Sequence, residues 1–426
     1  MFTTLRNAWK IPELRKKIIF TLIVMLIYRL GNCVPVPYVN VVALNNYFTQ
    51  QLANTVLGLY NAMSGSAFSQ ATVFALGIQP YINASIIIEL LTIAIPALER
   101  LAKEDGEEGR KKIAEITRVV TIALGCIMAL GIILGLGSGA MAKGANANFF
   151  DYALVFVVLA AGTAFTMWIG ERITENGIGN GVSLLIFVGI IASFPGEVFT
   201  GIQSVIAKPL TAWFIPLVIV GVLLIIVGIV FVDSGVRRVP VQYAKRMVGR
   251  KMYGGQSTHI PMKVNSSGVM PLIFAISVIQ LPGMIANFWP TSGFALWYGK
   301  WFSASSWLYM VVYALLILFF TYFYTSITFN PVEMSKNLQQ NGGFIPGIRP
   351  GKPTADYLAR ISNRITLFGA LYLALIAVIP SAILVLTGSH APFTATGILI
   401  VVSVAMETSS QLEAQMMMRH YKGFMK

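Results

Sequence analysis

Residues 59–99 read LYNAMSGSAFSQATVFALGIQPYINASIIIELLTIAIPALE and differ from the long apolar runs that make up most of the chain. The first part, residues 59–70 (the polar segment), is small and polar, and it is too short to cross a bilayer, which takes about 20 apolar residues. The second part, residues 71–96, is long enough, but Gly77 and Pro80 interrupt it. Irregular backbone at membrane depth persists only where it is buried in protein or lines a cavity. The stretch therefore predicts a re-entrant segment that leads into a broken helix, with a cavity nearby.

The composition around this stretch is that of a polytopic helical membrane protein. The chain has 426 residues, of which 56% are hydrophobic and 11% charged, and its mean hydropathy is +0.72. Repeated apolar runs of spanning length exclude a soluble globular protein. A β-barrel is excluded because these runs are continuous and lack the alternation of apolar and polar residues that barrel strands require. Cys33 and Cys126 have no spaced partner, and no phosphate-binding loop or cluster of metal ligands is present. We expect no cofactor, no bound metal and no enzymatic activity.

Ten transmembrane helices are predicted. They cover residues 18–35, 71–96, 119–137, 153–169, 182–199, 212–231, 269–289, 306–328, 365–386 and 393–406. Of the 31 Lys and Arg residues, all but Arg29, Lys143, Lys208 and Lys300 fall in the two tails or in the loops on the same side of these spans. Because positive charge is retained inside the cell, both termini are expected in the cytoplasm.

The spans divide into two halves, residues 1–207 and residues 208–426. Five spans in each half force the halves into opposite orientations, as in an inverted repeat. The seventh span is expected to be interrupted like the second, by Gly268, Pro271, Pro282 and Gly283. Paired interrupted helices between inverted halves point to a substrate pathway, although Gly and Pro are also common in transmembrane helices generally.

Apolar residues face this expected pathway. Ile78 and Ile82 are four residues apart and share a helix face, and Val182 and Ile186 do the same in the fifth span. Spacing alone does not separate a special role from ordinary core or lipid-facing packing. Glu89 is the deepest carboxylate of any span, so no proton relay is evident, which disfavours a secondary transporter of a small solute without excluding it.

Two cytoplasmic loops, residues 233–267 and 330–364, are longer than a connection requires. In the first loop a valine-rich extended sequence precedes a glycine-rich turn, which predicts a projecting hairpin. Its tip carries three basic residues: Arg246, Arg250 and Lys251. In the second loop prolines and glycines fix the backbone around Arg349. Topology explains part of this positive charge, and docking of ribosomal RNA or of an acidic ATPase surface would explain the loop lengths as well.

Five motifs resemble the SecY family, the central subunits of bacterial protein-conducting channels. They are ALGIQPYINASIII (75–88), ITENGIGNGVSLLIF (173–187), RRVPVQYAKR (237–246), QSTHIPMKVN (256–265) and GIRPGKPT (347–354). The resemblance covers the whole chain and implies an all-α fold of ten helices in two inverted halves around a central pore. It also implies a function: secretion of unfolded polypeptides across the cytoplasmic membrane and lateral insertion of apolar segments into it.

The resemblance also implies site residues. The family has an apolar pore ring, and the residues that resemble it here are Ile78, Ile82, Val182, Ile186, Ile273 and Ile400. The family also has a plug on the external side of the ring. The residues that resemble it here are Tyr60, Asn61, Ala62, Met63, Ser64, Gly65, Ser66, Ala67 and Phe68. The lateral gate is bordered by Ile86, Glu89, Ser277, Gln280 and Leu281. Two positions depart from the family pattern, since Val182 replaces a commoner isoleucine and Glu89 a commoner neutral amide.

The implied partners follow from the same resemblance. Arg246, Arg250, Lys251 and Arg349 lie on the expected docking surface for the ribosome and for a SecA-like motor ATPase, and Arg349 matches the position associated with the motor. SecE-like and SecG-like subunits are expected beside the chain in the membrane. Signal peptides and unfolded polypeptides are the expected substrates, and membrane lipids receive the inserted segments.

Overall fold

The computed structural model describes most of the chain. The described residues are 2–48, 61, 64–103, 106–136, 141–146, 148–207, 214–243, 246–248, 251–253, 257–286, 288–289, 292–302, 306–387 and 395–423. Three expected plug residues, Tyr60, Ala62 and Met63, and the expected docking residue Arg250 lie outside them. The strand backbone is described at Arg246 and Lys251, but their side chains are not.

The described part of the N-terminal half is helical. Its helices are α1 (Phe2–Trp9), α2 (Pro12–Gly31), α3 (Val41–Tyr47), α4 (Gln79–Ala94), α5 (Pro96–Lys103), α6 (Gly106–Leu136), α7 (Phe149–Asn176) and α8 (Gly181–Ala207), with a 3-10 turn at Gly144–Asn146.

The described part of the C-terminal half adds a small amount of sheet. Its elements are α9 (Phe214–Asp233), β1 (Val236–Tyr243), β2 (Arg246–Val248), β3 (Lys251–Tyr253), β4 (Ser257–Lys263), α10 (Met270–Ala286), α11 (Gly293–Trp301), α12 (Trp307–Thr328), α13 (Pro331–Gln340), β5 (Gly343–Phe344), α14 (Lys352–Thr387) and α15 (Ala395–Gly423).

Each of the ten predicted spans overlaps a helix: α2, α4, α6, α7, α8, α9, α10, α12, α14 or α15. Four stretches of the described residues are long and apolar enough to cross a membrane, namely Gly106–Leu134, Phe149–Asn176, Trp307–Gln340 and Lys352–Ile379. The bent pair α4 and α5 makes a fifth candidate if it forms one span. The fold is therefore a polytopic helical membrane fold, while the count of ten spans stays a prediction.

Helix α4 begins later than the sequence predicts. Residues 71–78 of the predicted span lie in turns, and the helix starts at Gln79. Pro80 lies in its first turn, where backbone N–H groups have no helical acceptor, so the N–H that proline lacks costs no hydrogen bond. Gly77 has φ +51°, a backbone conformation that favours glycine. At the C-terminal end of α4, Ile95 has an extended backbone before Pro96. The chain bends there by 106° between the axes of α4 and α5.

Helix α10 begins in the same way. Gly268 has φ +60°, and Pro271 follows three residues later in the first turn, as Pro80 follows Gly77. This shared Gly-x-x-Pro start places Ile82 and Ile273 at equivalent positions, each five residues beyond the glycine. The starts of these two helices are thus alike, while the correspondence between the halves stays a prediction.

The expected interruption of the seventh span at Pro282 and Gly283 is wrong, because α10 continues to Ala286. A proline removes one helical hydrogen bond and is tolerated where a neighbour supplies another donor. The carbonyl that Pro282 leaves without its helical donor is that of Val278. At the next carbonyl, that of Ile279, the hydroxyl of Tyr298 on α11 donates a hydrogen bond. The missing side chain of Gly283 lets that ring approach, since a Cβ there would lie 2.9 Å from the Tyr298 ring.

The two long loops, residues 233–267 and 330–364, form one folded module in their described parts. The predicted hairpin is confirmed, since β1 pairs antiparallel with β4 and β2 pairs antiparallel with β3. Strand β5 of the second loop pairs with the end of β1, through Gln242–Phe344 and Tyr243–Gly343. A separate apolar core joins the loops: Val239, Val241, Met262, Leu338, Ile345, Leu358 and Ile361. Sequence reasoning treated the loops as independent.

Gly162 on α7 allows residues 64–78 to pass close to that helix. A Cβ at Gly162 would lie 2.0 Å from the carbonyl oxygen of Val73, so that a side chain must displace backbone. We expect Gly162→Leu to lower the stability of the protein by at least the roughly 1–3 kcal/mol typical of overpacking. The half-life of the detergent-solubilised protein at fixed temperature measures this. Gly221→Ala on α9, with no atom within 4 Å of the added Cβ, should leave the half-life unchanged; equal half-lives of both variants would contradict the packing.

Candidate functional site

Six apolar residues from both halves meet in the largest buried cluster. Ile78 and Ile82 come from the start of α4, Val182 and Ile186 from α8, Ile273 from α10 and Ile400 from α15. The five isoleucines are between 1% and 7% exposed, and Val182 is partly buried against them. All six residues that the resemblance implies for a pore ring therefore lie in or against one large apolar cluster, and their role as a ring stays a prediction.

The described part of the polar segment is buried beside this cluster. Ser64, Ala67, Phe68 and Ser69 are at most 6% exposed. The segment has few helical bonds and instead folds around Asn61, whose carbonyl accepts from the Ser66 N–H at 2.8 Å and whose side chain accepts from the Ser69 N–H at 2.8 Å. Irregular backbone is thus buried in protein, as the sequence predicts.

Glycines set the depth of this segment. A Cβ at Gly65 would lie 3.0 Å from the carbonyl of Gly189 on α8, so the two backbones are in direct contact. Gly189 follows Ile186 by three residues and therefore lies one turn further along the same face of α8. The polar segment consequently abuts the helix face that carries a candidate ring residue.

Side-chain amides link α4 to α10. The Gln79 Nε2 group donates to the Ser277 hydroxyl at 3.1 Å and to the Gln280 Oε1 atom at 2.8 Å. These three side chains are 1–3% exposed, so the contact lies inside the protein. Ile86 is buried nearby on α4, while Glu89 and Leu281 are half-buried. Every expected gate residue therefore lies on α4 or α10, and the two helices touch through hydrogen bonds.

Sequence reasoning missed Gln79, which makes this contact, and a second buried amide on the same helix, Asn83. Gln79 makes both cross-helix bonds, and Asn83, four residues later on the same helix face, is 2% exposed with neither amide atom hydrogen-bonded within the described structure. Two amides at helical spacing in an otherwise apolar helix were the available signal. An unpaired buried amide costs roughly 1–3 kcal/mol, so this contact is weaker than an apolar seam would be.

The module formed by the two long loops presents positive charge. Its exposed basic side chains are Arg237, Arg238, Lys263, Lys336, Arg349, Lys352, Arg360 and Arg364. Exposed carboxylates of the same described loops are Glu333 and Asp356. Arg349 is held on a fixed turn, because the Thr354 hydroxyl donates to its carbonyl at 2.8 Å and the Ser335 hydroxyl donates to the Gly351 carbonyl at 2.7 Å. Such a surface attracts anionic partners.

Among the described residues, no three His, Cys, Asp or Glu side chains lie close enough together to hold a metal ion.

Known sequences match the whole chain. The SecY family model matches residues 72–409. The protein translocase subunit SecY of Streptomyces scabiei is 44% identical over 440 residues and that of Mycobacterium tuberculosis is 43% identical over 447 residues; each alignment covers 100% of both chains.

Solved structures share the fold. A structure described as a protein-conducting channel has a TM-score of 0.66 at 20% identity, covering 94% of this chain and 92% of the other. A SecY channel, described as having a plug domain that stabilises the closed state and maintains a membrane seal, has a TM-score of 0.63 at 20% identity with the same coverage. Sec61 in the canine ribosome–channel complex from the endoplasmic reticulum has a TM-score of 0.62 at 18% identity, again with the same coverage.

Proposed function

The chain belongs to the SecY family, and from this premise we propose which of its residues conduct polypeptides and which keep the closed channel sealed. The chain is a protein translocase subunit that forms a protein-conducting channel in a membrane. The observation that supports our assignment of the path is the burial, in one apolar cluster, of Ile78, Ile82, Val182, Ile186, Ile273 and Ile400 from both halves. The small-solute transporter has no support among these relatives.

The architecture we propose is ten spans in two inverted halves, residues 1–207 and 208–426. The ten helices that overlap the predicted spans support it, as does the shared Gly-x-x-Pro start of α4 and α10. The distribution of Lys and Arg supports a cytoplasmic location for both termini and for the β1–β5 module, in a bacterial cytoplasmic membrane.

The six apolar residues act as the constriction of the channel. A narrow apolar constriction excludes ions by dewetting, while flexible aliphatic side chains can surround a passing peptide of any sequence. A charged ring would retain some substrates and repel others. The polar segment acts as a plug against this ring, which is supported by its burial beside α8 and by the plug domain of the related channel.

Helices α4 and α10 act as the lateral gate. Ile86, Glu89, Ser277, Gln280 and Leu281 border the seam through which an apolar segment enters the lipid. The Gln79 bonds hold the seam closed, and they are few and neutral, so a sufficiently apolar segment can replace them.

Gln79→Ala and Gln280→Ala are each expected to weaken the closed gate by roughly 0.5–1.5 kcal/mol, the net value of a neutral hydrogen bond. A test segment of marginal apolarity should then insert in a larger fraction of molecules, measured by glycosylation or protease mapping of a reporter. The double variant should exceed Gln79→Ala by little, because Gln79→Ala already removes the one bond that Gln280→Ala removes. Ser85→Ala, a half-buried polar change on the same helix, is the control; single variants that behave like it would contradict the gate.

The basic module acts as the docking surface for cytoplasmic partners. Arg246, Arg250, Lys251 and Arg349 contact ribosomal RNA or a SecA-like motor ATPase, as suggested by the positive surface and by the ribosome complex of the related Sec61 channel. SecE-like and SecG-like subunits complete the channel, and its substrates are signal peptides and unfolded polypeptides.

Reconstitution tests this function. The chain with its partner subunits, in sealed vesicles supplied with the motor and ATP, should take up an unfolded precursor into a protease-protected space. The same vesicles should not accumulate a panel of small solutes under a proton or sodium gradient. Solute accumulation without precursor uptake would overturn the proposal.

A further inference from the structure

Two side chains of α2 contact the tip of the polar segment. The Arg29 Nη1 group donates to the Gly65 carbonyl at 3.2 Å, and the Asn32 Nδ2 group donates to the Ser64 carbonyl at 3.3 Å. Asn32 is 2% exposed and Arg29 is half-buried. The acceptors are consecutive backbone carbonyls, so the contact depends on the position of the segment and not on its side chains.

Arg29 is an unexpected residue at this depth. A guanidinium inside a span is costly, and on the external side it also opposes the usual charge bias, so such a residue usually has a specific partner. No carboxylate of the described residues forms an ion pair with it, and its hydrogen bond goes to the polar segment. Hydrogen bonds from charged donors are stronger than neutral ones.

Beyond its tip, the same stretch is anchored by backbone. The Val36 N–H donates to the Ala71 carbonyl at 2.8 Å, and the Val73 N–H donates to the Val34 carbonyl at 2.9 Å, around a bridge between Pro35 and Thr72. These bonds do not require particular side chains. The root of the segment is therefore fixed to the chain that follows α2.

Two residues of this stretch are in strained conformations, one beside the tip and one at the root. Ser66 has φ +66° and Ala71 has φ +47°, values that residues with a Cβ adopt at an energetic cost. Strain of this kind persists only where surrounding contacts impose it. Release of the tip allows Ser66 to relax, so the strain at that residue opposes the latch contacts, while Ala71 stays fixed by the root bonds.

We propose that Arg29 and Asn32 form a latch that holds the tip of the polar segment in its seat, and that the segment swings out about residues 66–71 when the latch opens. This inference rests on the proposed plug function and names the residues that set its closed state. Both are positioning residues, because they act through the segment and not on the translocated chain.

The test measures seating of the segment directly. The parent for the test carries Cys33→Ser, Cys126→Ser and Ala67→Cys, since Ala67 is 1% exposed when the segment is seated. A membrane-impermeant maleimide, added to intact vesicles of the full complex whose external side faces outward, reacts at a rate proportional to the unseated fraction. Arg29→Gln should raise this rate about tenfold or more, Asn32→Ala by less, and Arg29→Lys should fall between parent and Arg29→Gln.

The control is Lys300→Gln, which removes an exposed positive charge on the same side of the membrane without contact to the segment. Its rate should match that of the parent. If the rates of Arg29→Gln and Asn32→Ala both stay within twofold of the parent, the latch is refuted. If Lys300→Gln raises the rate as much as Arg29→Gln, the effect is one of general charge and the latch is again refuted.

Export of a precursor by vesicles of the same complex in the opposite orientation, with the cytoplasmic side outward, separates this inference from the proposed function. Maleimide rates that change as expected support the latch whether or not the parent exports. A parent that exports nothing refutes the channel function, and a parent that exports while the rates stay equal refutes the latch alone.

Discussion

Ile400→Asn is expected to raise the resting ion leak of reconstituted vesicles about tenfold or more, and to allow export of precursors with defective signal peptides. Ile400 is 1% exposed within the apolar cluster that we assign to the constriction. Burying an unpaired amide there costs roughly 1–3 kcal/mol in the closed state, and the amide also binds water at a place that must stay dry. Ile82→Asn should act in the same direction.

Two controls isolate the constriction from general damage. Ile400→Leu keeps the volume and apolarity of the side chain and should leave the leak unchanged. Ile376→Asn introduces the same amide in the same cluster, at a residue of α14 that is 7% exposed but is not assigned to the ring. It should shorten the lifetime of the protein without a selective rise in leak. An equal leak from Ile376→Asn and Ile400→Asn would show that the ring has no special role.

Arg349→Glu is expected to abolish most motor-driven export while largely sparing insertion of a membrane protein by translating ribosomes. The side chain is exposed, and the bonds that fix its turn involve the Arg349 carbonyl, Ser335 and Thr354, so the substitution leaves them in place. Reversal of one charge at a contact with an acidic surface replaces attraction by repulsion. ATP-dependent precursor uptake and ribosome-dependent insertion, compared in the same vesicles, measure the two activities.

Arg360→Glu provides the matched control, because it reverses an exposed charge on the same module outside that turn. We expect it to reduce export far less. Loss of export and insertion in equal measure by Arg349→Glu would indicate misfolding of the module, and equal effects of the two variants would indicate an unspecific charge requirement.

The interruption of the second span was predictable from sequence, although the start of α4 at Gln79 was not. Gly77 and Pro80 disturb an apolar run, and both the positive φ of that glycine and the first-turn position of that proline follow from local chemistry. The effect of Pro282 was not predictable, because α10 continues past it and packs there, at Gly283, against Tyr298, a residue that becomes adjacent only in the folded protein.

The features of the candidate site also fall into those that could be predicted beforehand and those that could not. The grouping of the ring residues came from the resemblance to a known family, since isoleucines at helical spacing are ordinary in such a chain. The cross-helix bonds of Gln79, the joining of the two loops through β5, and the contact between Arg29 and Gly65 depend on tertiary distances that spacing does not encode.

The most direct test of the central assignment is site-specific photocrosslinking of a stalled precursor. A photoreactive amino acid is placed in turn at Ile82, Ile273 and Ile400, with Leu223 on α9, which is 55% exposed, as the lipid-facing control. We predict that the middle of the stalled chain forms adducts at all three isoleucines, from both halves of the protein, and none at Leu223. Adducts at Leu223 with none at the three isoleucines would contradict a path through this cluster.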